Sequence, residues 1–181
     1  TPTNYTINED GTLLITAADL LTNTSDIDST GLSITSVSVA AGLGTLVDNG
    51  NGTWSFTPNA DFNGNVSLSY TVSDGALTST SAINVTVNAV NDTPVTTTVS
   101  YSLNEDTTII ISEASLLANV TDVDLDTLSV TNITAPNGTL VNNNDGTWSF
   151  TPAANFNGAA TITFVTSDGT LTYTQTATVN V

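Results

Sequence analysis

The stretch Gly52-Thr53-Trp54-Ser55-Phe56-Thr57-Pro58 returns 94 residues later as Gly146-Thr147-Trp148-Ser149-Phe150-Thr151-Pro152. In both copies the aromatic residues alternate with Thr or Ser, which is the period-two pattern of a β-strand with one buried face. Trp54, Phe56 and their second copies are therefore predicted to lie on the inner face of a sheet. A sugar-stacking platform is the alternative for the two tryptophans, but the alternation within a strand favours the core.

The repetition extends over the whole chain. Tyr5, Asn8-Glu9-Asp10 and Asp26-Ile27-Asp28 recur at a spacing of 96 residues, and Phe62-Asn63-Gly64 and Ser73-Asp74-Gly75 recur at a spacing of 94. A repeat of this length corresponds to one domain of about the size of a β-sandwich. We therefore predict two domains, residues 1–92 and 93–181, each opening with Thr-Pro, and interpret the chain as an excerpt of a longer array.

Short runs of β-branched and apolar residues indicate seven strands in each repeat. In the first repeat these strands are expected to begin near Tyr5, Thr12, Leu32, Gly44, Thr53, Val66 and Ser79. A change of phase in the third run of each repeat indicates a β-bulge, and Ala17 to Leu21 is expected to form one helical turn. Seven antiparallel strands at this spacing predict an all-β fold of two tandem two-sheet Greek-key sandwiches.

The composition limits the possible partners. The chain has 17 Asp and Glu, no Lys, Arg or His, and a formal net charge of -17. Nucleic acid and membrane insertion are not expected, because basic residues and an apolar span of about 20 residues are both missing. Without Cys or His, only oxygen ligands remain for a metal, and these suit calcium. The low charged fraction and abundant Thr, Ser and Asn favour an extracellular or cell-surface location.

The acidic residues form clusters at corresponding places in the two repeats. An Asp-x-Asp pair follows each predicted helical turn, and each repeat adds one Asp-Gly turn; these residues are Asp26, Asp28 and Asp74, and Asp122, Asp124 and Asp168. Alternate carboxylates in a loop can converge on one cation, although solvated loop acids without an ion are the alternative. An EF-hand is excluded, because Val37 and Ile133 stand where its bidentate Glu is needed. Asn91 and Asp92 lie in the linker between the repeats.

Jointly, the Asn-Glu-Asp, Asp-x-Asp, Gly-Thr-Trp-x-Phe-Thr-Pro, Phe-Asn-Gly, Ser-Asp-Gly and Asn-Asp-x-Pro motifs resemble the cadherin-like, VCBS-type Ig-fold repeats of large bacterial RTX-type adhesins. The resemblance covers essentially the whole chain, twice. It implies Ig/cadherin-like sandwiches joined by a short calcium-binding linker. It carries metal-binding roles at the junction to Glu9, Asp61, Asn91, Asp92, Asp122, Asp124 and Asp168, and it leaves Asp26, Asp28 and Asp74 as an N-terminal half-site. The family's Asp-Arg-Glu-type motif is missing, which implies one or two ions.

The resemblance implies a non-catalytic, calcium-stiffened extender of a secreted or cell-surface adhesin that supports cell adhesion and biofilm and is exported by type I secretion. Its partners would be neighbouring repeats of the same chain, with cell-surface or glycan ligands elsewhere in the protein. A glycan- or cell-surface-binding module of the same fold is the alternative. An enzyme would have to use a carboxylate pair in the manner of a glycosidase, and the acidic clusters are better explained by metal, so no catalytic residues are predicted.

Overall fold

The computed structural model describes residues 4–22, 24–28 and 31–181. The chain divides into two compact units, of which the first ends at Val90 and the second runs from Asn91 to Val181. The domain boundary expected from the sequence, after Asp92, lies close to this division. The Thr1-Pro2 landmark of the first repeat lies outside the described residues. In the part of the chain that is described, no helix is long and apolar enough to cross a membrane.

The first unit contains a four-stranded and a three-stranded sheet. Its elements are β1 (Tyr5–Asn8), β2 (Leu13–Thr16), α1 (Ala17–Leu21), β3 (Ser33–Val39), β4 (Gly44–Asp48), β5 (Thr53–Pro58), β6 (Gly64–Ser73) and β7 (Thr78–Asn88). The strand orders are β1-β7-β6-β3 and β2-β5-β4. The helical turn begins at Ala17 because the Thr16 side chain accepts a hydrogen bond from the Asp19 N–H and so caps the first turn. The predicted strand starts and helical turn are confirmed.

The second unit repeats this plan, and its residues also form one small two-stranded sheet. Its elements are β8 (Val95–Thr96), β9 (Val99–Ser102), β10 (Ile109–Ser112), α2 (Glu113–Leu117), β11 (Val120–Thr121), β12 (Ser129–Thr134), β13 (Gly138–Asn142), β14 (Thr147–Pro152), β15 (Ala159–Ser167) and β16 (Thr172–Asn180). The strand orders are β12-β15-β16-β9, β10-β14-β13 and β11-β8. The sequence analysis did not predict β8 and β11, because two residues are too few to show a period-two pattern.

One strand pairing in each repeat shows that the prediction of purely antiparallel sheets was wrong. Strand β1 pairs parallel with β7, and β9 pairs parallel with β16. A tight hairpin forces its two strands to be antiparallel, but these partners lie at opposite ends of the repeat and share no hairpin. The expected bulges are confirmed, between Ile34 and Ser36 in β3 and between Val130 and Asn132 in β12.

The core of each unit is built from the alternating residues of the long strands. Trp54 is 6% exposed and Trp148 is 9% exposed, and Phe56 and Phe150 are fully buried. The core interpretation of the tryptophans is therefore confirmed. Inward residues of β6, β7, β15 and β16 pack against these aromatic side chains; they include Val66, Leu68, Ile83, Val85, Ile162, Phe164, Ala177 and Val179. Each core lies between the faces of its own unit's two main sheets.

Replacing Phe150 by Ala should destabilise the second unit strongly. The side chain is fully buried in the core, and deletion of a buried Phe typically costs about 3 to 5 kcal/mol through lost burial and a residual cavity. Chemical denaturation monitored by circular dichroism measures this change. Val141→Ala is the control: Val141 is 52% exposed on the neighbouring strand, so its loss should change the free energy of unfolding by less than about 0.5 kcal/mol. Equal effects of the two substitutions would contradict this assignment of the core.

Candidate metal centre

The loop that follows β11 wraps around a single carboxylate. The Asp122 Oδ1 atom accepts hydrogen bonds from the backbone N–H groups of Asp124, at 3.1 Å, and Asp126, at 3.2 Å. Leu125 adopts a left-handed backbone with φ of 64°, a conformation that is uncommon for a branched residue. As a result, Asp122, Asp124 and Asp126 each present a carboxylate oxygen, and these three oxygens lie within 4.8 Å of one another.

The second oxygen of Asp122 lacks a hydrogen-bond partner. Asp122 is 9% exposed, and its Oδ2 atom is buried. Burial of a carboxylate oxygen without a hydrogen bond or an opposite charge is costly, and the sequence contains no Lys, Arg or His that could approach it. A cation bound between Asp122, Asp124 and Asp126 would relieve the repulsion among the three carboxylates. The residues present therefore fit a hard divalent cation with oxygen ligands.

Asp168 joins the start of the second unit to the turn between β15 and β16. Its Oδ1 atom accepts hydrogen bonds from the N–H groups of Thr170 and Leu171, both at 2.6 Å, and its Oδ2 atom accepts one from the Asn91 side-chain amide at 2.8 Å. The Thr170 hydrogen bond is the largest cause that lowers the pKa of Asp168; desolvation opposes it, and Asn91 and Leu171 add to it. Asp168 is therefore held as an anion although it is only 8% exposed.

Asp92 makes the second connection between the entering segment and the acidic loop. Its backbone N–H donates to the Asp124 Oδ2 atom at 2.8 Å. Within the second unit the structure thus connects the predicted residues in pairs: Asn91 with Asp168, Asp92 with Asp124, and Asp122 with Asp124. Asp126 is a further candidate ligand that the sequence analysis missed. Its signal was the extension of the pair to Asp122-Val123-Asp124-Leu125-Asp126, which the first repeat lacks.

Glu9 and Asp61, the two residues of the first repeat that are predicted to bind metal at the junction, differ in environment. Glu9 is 5% exposed, and its Oε1 atom accepts a hydrogen bond from the Val90 backbone N–H at 2.6 Å. This bond fixes the end of the first unit to the turn after β1. Asp61 is exposed in the turn before β6 and has a left-handed backbone with φ of 57°. Their assignment as metal ligands stays a prediction.

The corresponding acidic residues of the first repeat form a more open arrangement. Asp26 and Asp28 are exposed, and the Asp26 Oδ1 atom accepts a hydrogen bond from the Asp28 N–H at 2.8 Å. Asp74 accepts hydrogen bonds from the Ala76 and Leu77 N–H groups, and its pKa is lowered chiefly by the Leu77 bond. The corresponding acidic loops of the two repeats therefore differ in burial. Asp122 is buried in the second repeat, whereas its counterpart Asp26 is exposed in the first.

A loop whose ligands are all carboxylate oxygens suits calcium better than magnesium. Calcium accepts six to eight oxygens in variable geometry, whereas magnesium requires a tight octahedron and releases its water reluctantly. Three carboxylates supported by backbone hydrogen bonds fit the first description.

Two tandem β-sandwiches, the second with an acidic loop beside the segment that enters it, define a class of β-sandwich repeat modules. The family model described as "Cadherin-like domain" matches residues 1–88 and again residues 90–181. The chain therefore belongs to the cadherin-like domain family. Domains of this family are generally non-catalytic, are typically extracellular and typically bind calcium. No curated protein matches the chain.

Solved structures with similar folds come from several protein classes. Human protocadherin-24 EC1-2 is 14% identical with a TM-score of 0.47, and the alignment covers 86% of this chain and 83% of that one. The zebrafish RET cadherin-like domains 1 to 4 are 13% identical with a TM-score of 0.40, covering 98% and 46%. The endo-fucoidan hydrolase MfFcnA4 of glycoside hydrolase family 107 is 22% identical with a TM-score of 0.36, covering 98% of this chain and 27% of the hydrolase. The chain thus spans about a quarter of that enzyme's length.

The Asp168 carboxylate should make the stability of the second unit depend on pH in calcium-free solution. Its pKa is lowered in the folded state, so its contribution is complete above the ordinary carboxyl pKa of about 4 and is lost as the pH falls through the lowered value. The difference in melting temperature between the wild type and Asp168→Asn should therefore be largest near neutral pH and shrink below about pH 4. Differential scanning calorimetry across this range measures it. A difference that does not vary with pH would contradict the assigned hydrogen bonds.

Proposed function

We propose that the two units are non-catalytic, calcium-binding extender repeats of a large secreted or cell-surface bacterial adhesin. The observation that carries the proposal is the buried Asp122 carboxylate. It lies beside Asp124 and Asp126, one of its oxygens lacks a hydrogen-bond partner, and the sequence offers no internal cation. An external cation bound at these carboxylates would therefore stabilise the folded second unit.

Calcium would act on the segment that enters the second unit. That segment is already hydrogen-bonded to the acidic residues through Asn91 to Asp168 and Asp92 to Asp124. A bound cation would remove the repulsion among the carboxylates and so strengthen the attachment of the segment. A linker held in this way would have fewer accessible backbone conformations, which is the physical meaning of stiffening here.

The role in adhesion rests on the family and on the resemblance to bacterial adhesin repeats. Repeats of this kind would separate a binding region from the cell surface, in support of cell adhesion and biofilm. Export by type I secretion would fit, because low calcium inside the cell would leave the acidic loops without their cation until the chain reaches the outside. The burial of Trp54 and Trp148 removes the stacking platform that a glycan-binding alternative would use.

Calcium at about 10 mM should raise the free energy of unfolding of the second unit. For an extracellular site with a dissociation constant of roughly 10⁻⁴ to 10⁻³ M, mass action gives about 1.4 to 2.7 kcal/mol. Asp124→Ala should eliminate most of this gain, because it removes a ligand and the acceptor of the Asp92 hydrogen bond. Calorimetric melts in chelator, calcium and magnesium measure the effect, and magnesium should stabilise the protein much less.

Asp28→Ala is the matched control for Asp124→Ala. Asp28 occupies the corresponding position of the first repeat, but it is exposed and its neighbour Asp26 is solvated. The Asp28→Ala protein should therefore keep nearly all of the calcium stabilisation. Equal losses from the two substitutions would show that each repeat binds calcium independently, and superimposed melts of the wild type in all three solutions would end the calcium proposal.

Calcium should also narrow the distribution of shapes that the two-repeat chain adopts. The reason is that a cation near Asn91 and Asp92 restricts the linker without being needed for the cores, which are apolar and complete in each unit. Small-angle X-ray scattering with and without calcium measures the distribution, and circular dichroism should show unchanged β-structure. Loss of the β-sheet signal on chelation would show that the ion belongs to the fold itself.

A further inference from the structure

Strand β13 is the outermost strand of the three-stranded sheet in the second unit. It pairs with β14 on one side, and no other strand of the described residues pairs with its outer side. The pairing with β14 is regular along the whole strand, from Gly138 to Asn142. We call the outer side of this strand the β13 edge.

The free backbone groups of the β13 edge belong to alternate residues. At the hairpin end, the Asn143 N–H donates to the Thr147 carbonyl at 3.0 Å, so these two residues form a hydrogen-bonded pair. Such pairs alternate with non-hydrogen-bonded pairs along an antiparallel ladder. Thr139 and Val141 therefore direct their N–H and C=O groups towards β14. The residues that direct these groups outwards are Gly138, Leu140 and Asn142.

The other edge strands of the four main sheets have features that hinder pairing. Strands β3 and β12 contain bulges, and the Glu113 Oε1 atom accepts the Val130 N–H of β12 at 2.7 Å. Strands β1, β2, β9 and β10 have only four residues each. Strand β4, the counterpart of β13, ends in the exposed Asp48. Strand β13 contains no charged residue, no proline and no bulge.

The sheet that carries the β13 edge is uncharged, although the chain has a formal net charge of -17. Its strands β10, β13 and β14 contain no Asp or Glu. On its outer face, Ile110 and Val141 are 65% and 52% exposed, and both lie opposite Ser149. A second copy of the chain can therefore bring the same edge to this one without placing carboxylates within the paired strands.

The outward groups of the β13 edge are complementary to themselves under two-fold symmetry. If Leu140 lies opposite Leu140 of a second copy, Gly138 of each copy lies opposite Asn142 of the other. Each of these pairs can then exchange both of its backbone hydrogen bonds, and the glycine leaves room for the Asn142 side chain. Pro136 precedes the strand and has no N–H, so the pairing ends there.

We propose that the β13 edge binds the β13 edge of a second copy of this chain, so that the two three-stranded sheets become one continuous sheet. The paired strands contribute far fewer residues than the roughly 20 to 30 a side of a standard interface, so the dimer is weak, with a Kd of about 10⁻⁴ to 10⁻³ M. Repulsion between two acidic copies opposes the pairing, and salt should strengthen it by screening. The acidic loop takes no part, so the pairing is independent of the calcium proposal.

The first test follows the nuclear magnetic resonance spectrum of the whole chain from about 0.05 to 2 mM, a range that spans this Kd. The outward amides of β13 should shift with concentration, whereas those of β4 should not. Raising sodium chloride from about 0.05 to 0.5 M should lower the concentration of half-maximal shift several-fold. Spectra that do not depend on concentration, shifts at β4 as large as those at β13, or weaker association in high salt would each overturn the proposal.

The second test places a carboxylate beside the proposed pairing. Val141 of one copy lies diagonally across from Val141 of the other, about 7 to 8 Å away, so Val141→Asp should weaken dimerisation by roughly tenfold or more. Val47→Asp is the matched control, because Val47 is 51% exposed at the corresponding position of β4 and the substitution adds the same charge. It should leave the dimer nearly unchanged. Equal effects of the two substitutions would rule out the β13 edge as the interface.

The third test removes an outward N–H group. Asn142→Pro deletes a donor that points away from β14, and it should eliminate the concentration-dependent shifts. Asp48→Pro in β4 is the control, since the replaced side chains make the same turn contact: Asn142 Oδ1 accepts from the Asn144 N–H and Asp48 Oδ1 from the Gly50 N–H, both at 2.8 Å. Asp48→Pro should retain dimerisation, with circular dichroism confirming that both variants are folded. Dimerisation of Asn142→Pro at wild-type strength, or its equal loss in both variants, would contradict the proposed pairing.

Discussion

The uncompensated negative charge of this chain constrains every acidic residue that the fold buries. With 17 carboxylates and no Lys, Arg or His, a buried carboxylate can be stabilised only by N–H or O–H donors or by an ion from outside. Glu9 and Asp168 accept hydrogen bonds from N–H groups. Asp122 uses one oxygen in the same way and leaves the other without a partner. The backbone donors thus satisfy only one of the two Asp122 oxygens, and the calcium proposal starts from this residue.

The two repeats provide a comparison within one molecule. Their long strands, bulges and tryptophans correspond closely, so the apolar core of a cadherin-like sandwich tolerates large differences in the loops around it. The differences concentrate at the entry to the domain. In the second repeat the acidic loop is partly buried and has a third carboxylate, whereas Asp26 and Asp28 of the first repeat are exposed.

The entering segment of the second unit connects these differences. Strand β8 pairs with β11, and β11 ends at Thr121, directly before Asp122. This pairing thus positions Thr121, the residue from which the acidic loop begins. In the first unit Thr24 and Ser25 have no such strand, and Asp26 after them is solvated.

The sequence by itself determined the class of fold, the two-repeat organisation, the buried tryptophans, the helical turn and the bulges, because each depends on local alternation or on repetition along the chain. It also predicted acidic metal ligands, since oxygen ligands were the only ones present; their binding of a metal stays a prediction, and Asp126 was missed. Only the tertiary structure decided that β1 and β9 pair parallel with the last strand of their repeat, that β8 pairs with β11, and that Asp122 is buried while Asp26 is exposed. These features depend on which distant segments meet, and two-residue strands or a left-handed Leu125 leave no periodic signal in the sequence.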